Sequence, residues 1–162
     1  MDSRTVTLQA IDRLSPPRTP LYFCNRDFGE SDVVNVSYAP AAGFVPSVPG
    51  MTEWGFVWEV LDGTMGQPKT HPLAEDAALA GYRPPDPAAP GRFDGVAAEI
   101  ARWPGRFVKF SLGITGFNQA TFLRGYPAFL EDLFEAPERA GAVLDFVFDF
   151  ETEIIRRALA YP

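Results

Sequence analysis

The chain has 162 residues, of which 46% are hydrophobic and 14% aromatic, including 14 phenylalanines. This length and composition predict one globular domain, residues 1–162, with a sizeable core, and they exclude disordered and fibrous classes. The formal net charge of -7 and a sequence pI of about 4.7 argue against a nucleic acid partner, which normally requires a basic face.

One cysteine and one histidine, Cys24 and His71, are too few for an intrachain disulfide or a tetrahedral Cys/His zinc site, so no metal site is predicted. Residues 1–7 lack the basic and apolar regions of a signal peptide. No stretch reaches the ~20 apolar residues of a membrane span. We therefore expect a cytoplasmic protein that has no membrane partner.

The first predicted strand, Leu21–Cys24, follows a lead-in (1–20) that is polar and then rich in proline. It runs directly into Asn25, Arg26 and Asp27, and the end of a strand is where α/β proteins place ligand contacts. A second strand is predicted at Val33–Tyr38. Too few residues separate the two strands for a crossover helix, so either they pair as a hairpin or another element lies between them.

Aromatic residues mark the next region, 40–73. The alternation of Trp54, Phe56 and Trp58 predicts a strand with one apolar face, and the turn signal at 61–66 leads to a partner strand. We interpret 53–70 as a β-hairpin excursion. A helical turn at 75–80 and a proline-rich linker at 83–90 follow.

Residues 91–162 are predicted to form βα units. A helix at 93–103 precedes a strand at 107–112, and three helices follow, of which the first ends at Gly125 and the last carries an apolar stripe. The glycine-rich turn at 113–116 lacks the spacing of a nucleotide-binding motif, so we interpret it as a tight turn only. The acidic residues of the last helix are predicted to form its solvated face: Asp145, Asp149, Glu151 and Glu153.

Several segments, taken in their order and spacing, resemble the N-terminal half of the uroporphyrinogen decarboxylase superfamily, which also contains methylcobalamin-dependent (corrinoid) methyltransferases. The resemblance covers most of the chain from about residue 30 onward. It is carried by Glu53-Trp54-Gly55 with Val57-Trp58, Gly66 with His71-Pro72-Leu73, Tyr82 with Pro85-Asp86-Pro87 and Arg92-Phe93, and Phe117 with Phe122-Leu123-Arg124-Gly125, Leu130-Glu131-Asp132-Leu133 and Pro137-Glu138.

The resemblance implies a partial (β/α)8 TIM barrel, about its first four units, with a β-hairpin insertion. It implies a decarboxylating lyase or a methyltransferase that acts on a tetrapyrrole or in corrinoid-linked methyl transfer once the missing half completes it. The isolated chain is then expected to be inactive. No cofactor is expected within it, because zinc or a corrinoid would require the C-terminal half.

The candidate catalytic residues are Arg26 and Asp27, since an arginine at that strand end could clamp a carboxylate of a small-molecule substrate. The family has two arginines in this loop where this chain has one, and a local ion pair is the alternative. Asn25, Trp54 and His71 are substrate-binding candidates, although Trp54 could instead seal the hairpin and His71 could be a plain loop residue. Cys24 is expected to be a buried structural thiol.

A different class of function stays open, namely a non-catalytic binding or interaction module on a truncated barrel scaffold. Half a barrel leaves unpaired strand edges and an uncovered apolar interior. We therefore expect a homodimer or a pairing with a separately encoded second half.

Overall fold

The computed structural model describes residues 1–23, 31–63 and 65–162. Its elements are α1 (Ser3–Ile11), β1 (Val33–Ser37), β2 (Trp58–Glu59), β3 (Gln67–Pro68), a 3₁₀ helix (Asp76–Gly81), α2 (Val96–Ala101), β4 (Phe107–Ser111), α3 (Gly116–Arg124), α4 (Tyr126–Glu135) and α5 (Pro137–Ala158). The chain is therefore mixed α/β, as expected. It divides into two compact units.

Unit 1 consists of Met1–Ala39, Arg92–Gly113 and Tyr161. Its sheet has two parallel strands, β1 and β4, which pair in register from Val33 opposite Phe107 to Ser37 opposite Ser111. Because parallel neighbours need a long crossover, the residues between them in sequence make that connection. In the part of the chain that the structure describes, the strands form no closed barrel.

The core of unit 1 is a cluster of buried valines. Val34 and Val36 of β1 are buried together with Val6 of α1 and Val96 of α2. Strand alternation places Val34 and Val36 on one face of the sheet, which leaves the other face to different side chains. Beside this core the ring of Phe93 stacks on both Phe110 and Tyr161, with centroids 5.9 and 6.0 Å away.

Helix α1 is absent from the predicted elements, which have only a lead-in over these residues. Its sequence is largely polar, and its start depends on local contacts. Asp2 Oδ1 caps the helix by accepting from the Thr5 N–H at 2.8 Å. The Arg4 N–H, another of the unpaired first-turn donors, bonds to the Gly105 carbonyl at 2.8 Å.

Unit 2 consists of Pro40–Gly91, Ile114–Ala160 and Pro162. The predicted hairpin is present, with β2 antiparallel to β3. The strand expected from the Trp54–Trp58 alternation is much shorter than predicted, because the chain turns at Thr52–Gly55 and Gly55 adopts a φ of 87°. Trp54 and Phe56 are buried from this turn rather than from one face of a strand.

The three C-terminal helices follow the prediction closely. Gly125 ends α3 with a φ of 92°, a value that favours glycine. In α5 the predicted apolar stripe is buried at Ala140, Val143, Val147, Phe150 and Ile154. Of the residues that the structure describes, no helix is long and apolar enough to cross a membrane.

A network of ion pairs joins the segments of unit 2. The guanidinium of Arg124, only 7% exposed, donates to Asp132 at 2.7 Å, to Asp76 at 2.7 Å and to the carbonyls of Leu73 and Ala74. Arg139 also pairs with both aspartates. This network is charge-balanced, so it serves packing and offers no free charge to a ligand.

Candidate ligand-binding face

The predicted residues at the end of the first strand lie outside the described residues. This applies to Cys24, Asn25, Arg26 and Asp27, so their candidate roles stay predictions. The residues before them, Leu21–Phe23, are described and do not belong to a strand. Backbone and side-chain contacts hold this segment in place.

The other two predicted residues, Trp54 and His71, take part in the packing of unit 2. The Trp54 ring lies edge-on to Phe150, with centroids 5.0 Å apart, and the Trp54 carbonyl accepts from the Tyr82 hydroxyl at 2.8 Å. Burial raises the pKa of Tyr82, which keeps this donor protonated. Trp54 therefore takes part in the packing of unit 2, and its role as a substrate-binding residue stays a prediction.

His71 is half-buried, and its Nδ1 lies 2.8 Å from the carbonyl oxygen of Phe122. Its ring packs beside Gly125, where a Cβ would come within 3.4 Å of His71 Cδ2. A neutral imidazole that donates from Nδ1 keeps Nε2 as its remaining acceptor. Trp54 and His71 sit on neighbouring segments, because Gly55 faces Pro72, but each turns to a different helix.

The glycine-rich turn before α3 already holds a carboxylate. Oε1 of Glu151 accepts from the Gly116 N–H at 2.7 Å, at the first turn of the helix. Burial raises the pKa of Glu151. The expectation of a solvated acidic face agrees with the exposed Asp145 and Asp149 and with Glu153, which pairs with two arginines at the surface, but it is wrong for Glu151.

The exposed hairpin borders an open cavity of about 450 Å³, lined by Glu59, Leu61, Met65, Gly66 and Gln67. Its one carboxylate, on Glu59, is paired with Lys69. Met65 is 93% exposed, so the cavity has little enclosing wall. It is a poor candidate for a specific site.

The sheet of unit 1 has a second face, opposite the buried valines, and it becomes polar along the strands. In parallel strands paired in register, residues opposite each other point to the same face. From the amino to the carboxyl end, the three pairs on this face are Val33 with Phe107, Asn35 with Lys109, and Ser37 with Ser111. We call it the polar face.

A hydrogen-bonded triad occupies the middle of the polar face. Lys109 Nζ donates to Tyr22 Oη at 2.8 Å and lies 4.6 Å from the centre of the Tyr22 ring. Asn35 shares a hydrogen bond with the same hydroxyl, at 2.9 Å from its amide nitrogen and 3.1 Å from its amide oxygen. Tyr22 thus fixes the direction of the ammonium group.

Asp32 positions Tyr22 from the amino end of β1. Its carboxylate, 1% exposed, accepts both Arg18 guanidinium nitrogens at 2.6 Å and the Leu21 N–H at 2.7 Å. The Asp32 N–H donates back to the Leu21 carbonyl at 2.8 Å. Arg18 holds the pKa of Asp32 well below its usual range, so this carboxylate stays charged and keeps the residue next to Tyr22 in place.

Lys109 differs from the other lysine of the chain, Lys69. Lys69 pairs with Glu59, whereas no carboxylate of the described residues lies within salt-bridge distance of Lys109. An exposed lysine on an edge strand can also serve only to discourage strand pairing. That role requires no tyrosine on the ammonium group, so the triad favours a binding role.

One residue of this site, Lys109, stands out in the sequence itself. Lys109 interrupts the apolar run Phe107-Val108-Lys109-Phe110, and alternation places it opposite the buried side of that strand. The partners Tyr22 and Asn35 depend on strand register and on the fold of residues 21–23. No local pattern in the sequence specifies either.

Comparison with protein-family models, with curated proteins and with solved structures found no match to this chain.

Proposed function

We propose that the chain is a uroporphyrinogen decarboxylase-like protein in which β1 and β4 are neighbouring strands of a (β/α)8 barrel. It acts on a tetrapyrrole, or in corrinoid-linked methyl transfer, together with the C-terminal half of that barrel. The observation that carries this proposal is a gradient along the polar face. Its side chains are apolar at the amino ends of the two parallel strands and polar at their carboxyl ends.

That gradient is what a barrel interior requires. The lower layers of a (β/α)8 barrel are filled by bulky side chains, and the active site lies at the carboxyl ends of the strands. Val33 and Phe107 are bulky, as such a filling layer requires, and Ser37 and Ser111 lie at the carboxyl ends of the strands, where the active site of a barrel would be. The segments that resemble the family supply the link to tetrapyrrole and corrinoid chemistry.

The charge of unit 1 agrees with an anionic ligand. Its sequence holds 8 basic and 7 acidic residues, a net +1, while the chain as a whole carries -7. Tetrapyrrole substrates of the family bear carboxylates, which are attracted to a cationic site and repelled by an acidic surface.

The test is a titration of the chain with uroporphyrin I, followed by the porphyrin absorbance, with a parallel titration of methylcobalamin. We expect saturable binding of at least one of the two. Ser37→Glu, which places a carboxylate at the carboxyl end of β1, should weaken binding of uroporphyrin about fivefold through like-charge repulsion.

Thr152→Glu on the exposed side of α5 is the matched control, because it adds the same charge in unit 2. Its affinity should equal that of the wild type. The proposal fails if neither ligand binds saturably, or if the two glutamate variants weaken binding equally.

The alternative of a non-catalytic interaction module draws on apolar side chains of unit 2. Phe117, Tyr126 and Phe148 are 44%, 58% and 49% exposed, and the Phe117 and Tyr126 rings meet edge to face at 6.4 Å. Such a patch is typical of protein interfaces. Sedimentation of the chain over a range of concentrations separates the alternatives, because a monomer that binds uroporphyrin requires no partner chain.

A further inference from the structure

We propose that Lys109 is a carboxylate-binding residue and that Tyr22 positions its ammonium group for this role. The proposal rests on the proposed function for the nature of the whole ligand, but the subsite itself requires only a carboxylate. Its basis is the Tyr22–Asn35–Lys109 triad, together with the lack of an acidic partner for Lys109 among the described residues.

The donors of Lys109 are only partly used. An ammonium group has three N–H donors, and one of them bonds to Tyr22 Oη. Lys109 bonds to no other acceptor among the residues that the structure describes. Two of its donors are therefore not used by any described residue, and Lys109 is exposed at the polar face, so a carboxylate can accept from them.

Tyr22 restricts the lysine in two ways. Its hydroxyl accepts from the ammonium group, and its ring lies 4.6 Å from Nζ. A free lysine side chain must lose its rotamer freedom when it binds an anion, and this loss of entropy weakens binding. Holding the side chain in advance removes part of this cost, so an exposed cation gains affinity for its ligand.

A carboxylate suits this site better than a phosphate. Phosphate sites commonly add arginine forks or several backbone N–H groups, as at a helix N-terminus. The polar face offers one ammonium group, an amide and hydroxyls from its described residues, which fits a single carboxylate arm. We therefore expect one carboxylate of a polycarboxylate ligand to bind at Lys109, in the middle of the sheet.

The test compares Lys109→Met with Lys69→Met, which removes the only other lysine. Both variants lose one charge and keep an unbranched side chain, so they differ in the position of the lost charge and in its partner, Glu59 for Lys69 and Tyr22 for Lys109. With uroporphyrin I as the probe, Lys109→Met should weaken binding about fivefold, as expected for loss of one exposed ion pair. Lys69→Met should leave the affinity unchanged.

Two further variants separate positioning from charge. Lys109→Arg keeps the cation and should restore most of the affinity. Tyr22→Phe keeps the ring but removes the hydroxyl, so it should give an intermediate loss, about twofold, and a weaker dependence on Lys109 in the double variant. Equal affinities of Lys109→Met and Lys69→Met would overturn the proposal, whether or not uroporphyrin binds.

Smaller probes distinguish this proposal from the proposed function. Tricarballylate carries carboxylates without a porphyrin ring, and inorganic phosphate carries neither. Binding of tricarballylate that requires Lys109, with no preference for uroporphyrin, would support the subsite and contradict the tetrapyrrole. Equal competition by phosphate would overturn the carboxylate assignment.

Discussion

The two units of the chain differ in net charge and in the partner of the single lysine that each contains. Unit 2 holds 6 basic and 14 acidic residues, a net -8, against the net +1 of unit 1. Five of the six cations of unit 2 form salt bridges within it, namely Lys69, Arg124, Arg139, Arg156 and Arg157. In unit 1, by contrast, Lys109 is held by a tyrosine and has no acidic partner among the described residues.

This difference separates the cations that serve stability from the one that is proposed to serve binding. A buried arginine that lies between two aspartates is costly to remove, because the aspartates lose one of their two counter-charges and buried carbonyl groups lose a donor. An exposed lysine that lacks such a partner costs little to remove, so any effect of its removal on a ligand is a direct one. The two kinds of substitution should therefore give opposite profiles of stability and affinity.

The largest expected effect is on the stability of unit 2. Arg124→Met should lower the free energy of unfolding by about 3–5 kcal/mol, since Asp132 and two carbonyl groups lose a buried donor. Urea denaturation measures this loss. Arg156→Met, at a position 69% exposed, is the control and should change stability by less than about 0.5 kcal/mol. Similar losses in both variants would remove the contrast between buried and exposed cations.

A second substitution affects both stability and the proposed site. Asp32→Asn should cost about 2 kcal/mol, because it weakens charge-assisted hydrogen bonds to Arg18 and Leu21. It should also weaken uroporphyrin binding, since these bonds hold the segment that carries Tyr22. The exposed Asp94→Asn in the same unit is the control for both measurements.

The cost of Asp32→Asn should depend on pH. The pKa of Asp32 is lower in the folded chain than in the unfolded one, so its contribution is complete above the unfolded pKa of about 3.9. The contribution falls as the pH drops toward the folded pKa. Unfolding measured at pH 7 and at pH 3 should therefore show a smaller difference between wild type and variant at pH 3. A difference that is constant with pH would show that the charge of Asp32 is not what stabilises the segment.

The smallest expected effect concerns the carboxylate at the start of α3. Burial raises the pKa of Glu151, so the stability that the group contributes falls as the pH rises through that pKa. At pH 7, Glu151→Gln keeps an acceptor for the Gly116 N–H without a buried charge, and it should be neutral or stabilising by about 0.5 kcal/mol. Glu151→Ala should instead cost about 1 kcal/mol. If Glu151→Gln lowers the free energy of unfolding as much as Glu151→Ala does, the charge of Glu151 itself stabilises the fold.

The parts of the fold that the sequence predicts are those with local signals. Gly125 ends α3, and the spacing of apolar residues in α5 identifies its buried stripe. Helix α1 was not predicted because it is largely polar and depends on specific contacts. Asp2 caps it, and the Arg4 N–H bonds to the carbonyl of Gly105, which lies 101 residues further along the chain. The contact between Tyr22 and Lys109 was not predicted for a similar reason, since the two residues are 87 positions apart in the chain.

The central claim is that Lys109, and not Lys69, binds the ligand. Because the chain has only these two lysines, incorporation of lysine labelled with ¹³C at Cε gives one Hε–Cε NMR signal for each and leaves their N–H donors intact. Lys109→Met and Lys69→Met assign the signals. On addition of uroporphyrin I, the signal of Lys109 should shift and that of Lys69 should stay in place. A shift of both signals alike, or of Lys69 alone, would contradict the assignment of the ligand site to the polar face.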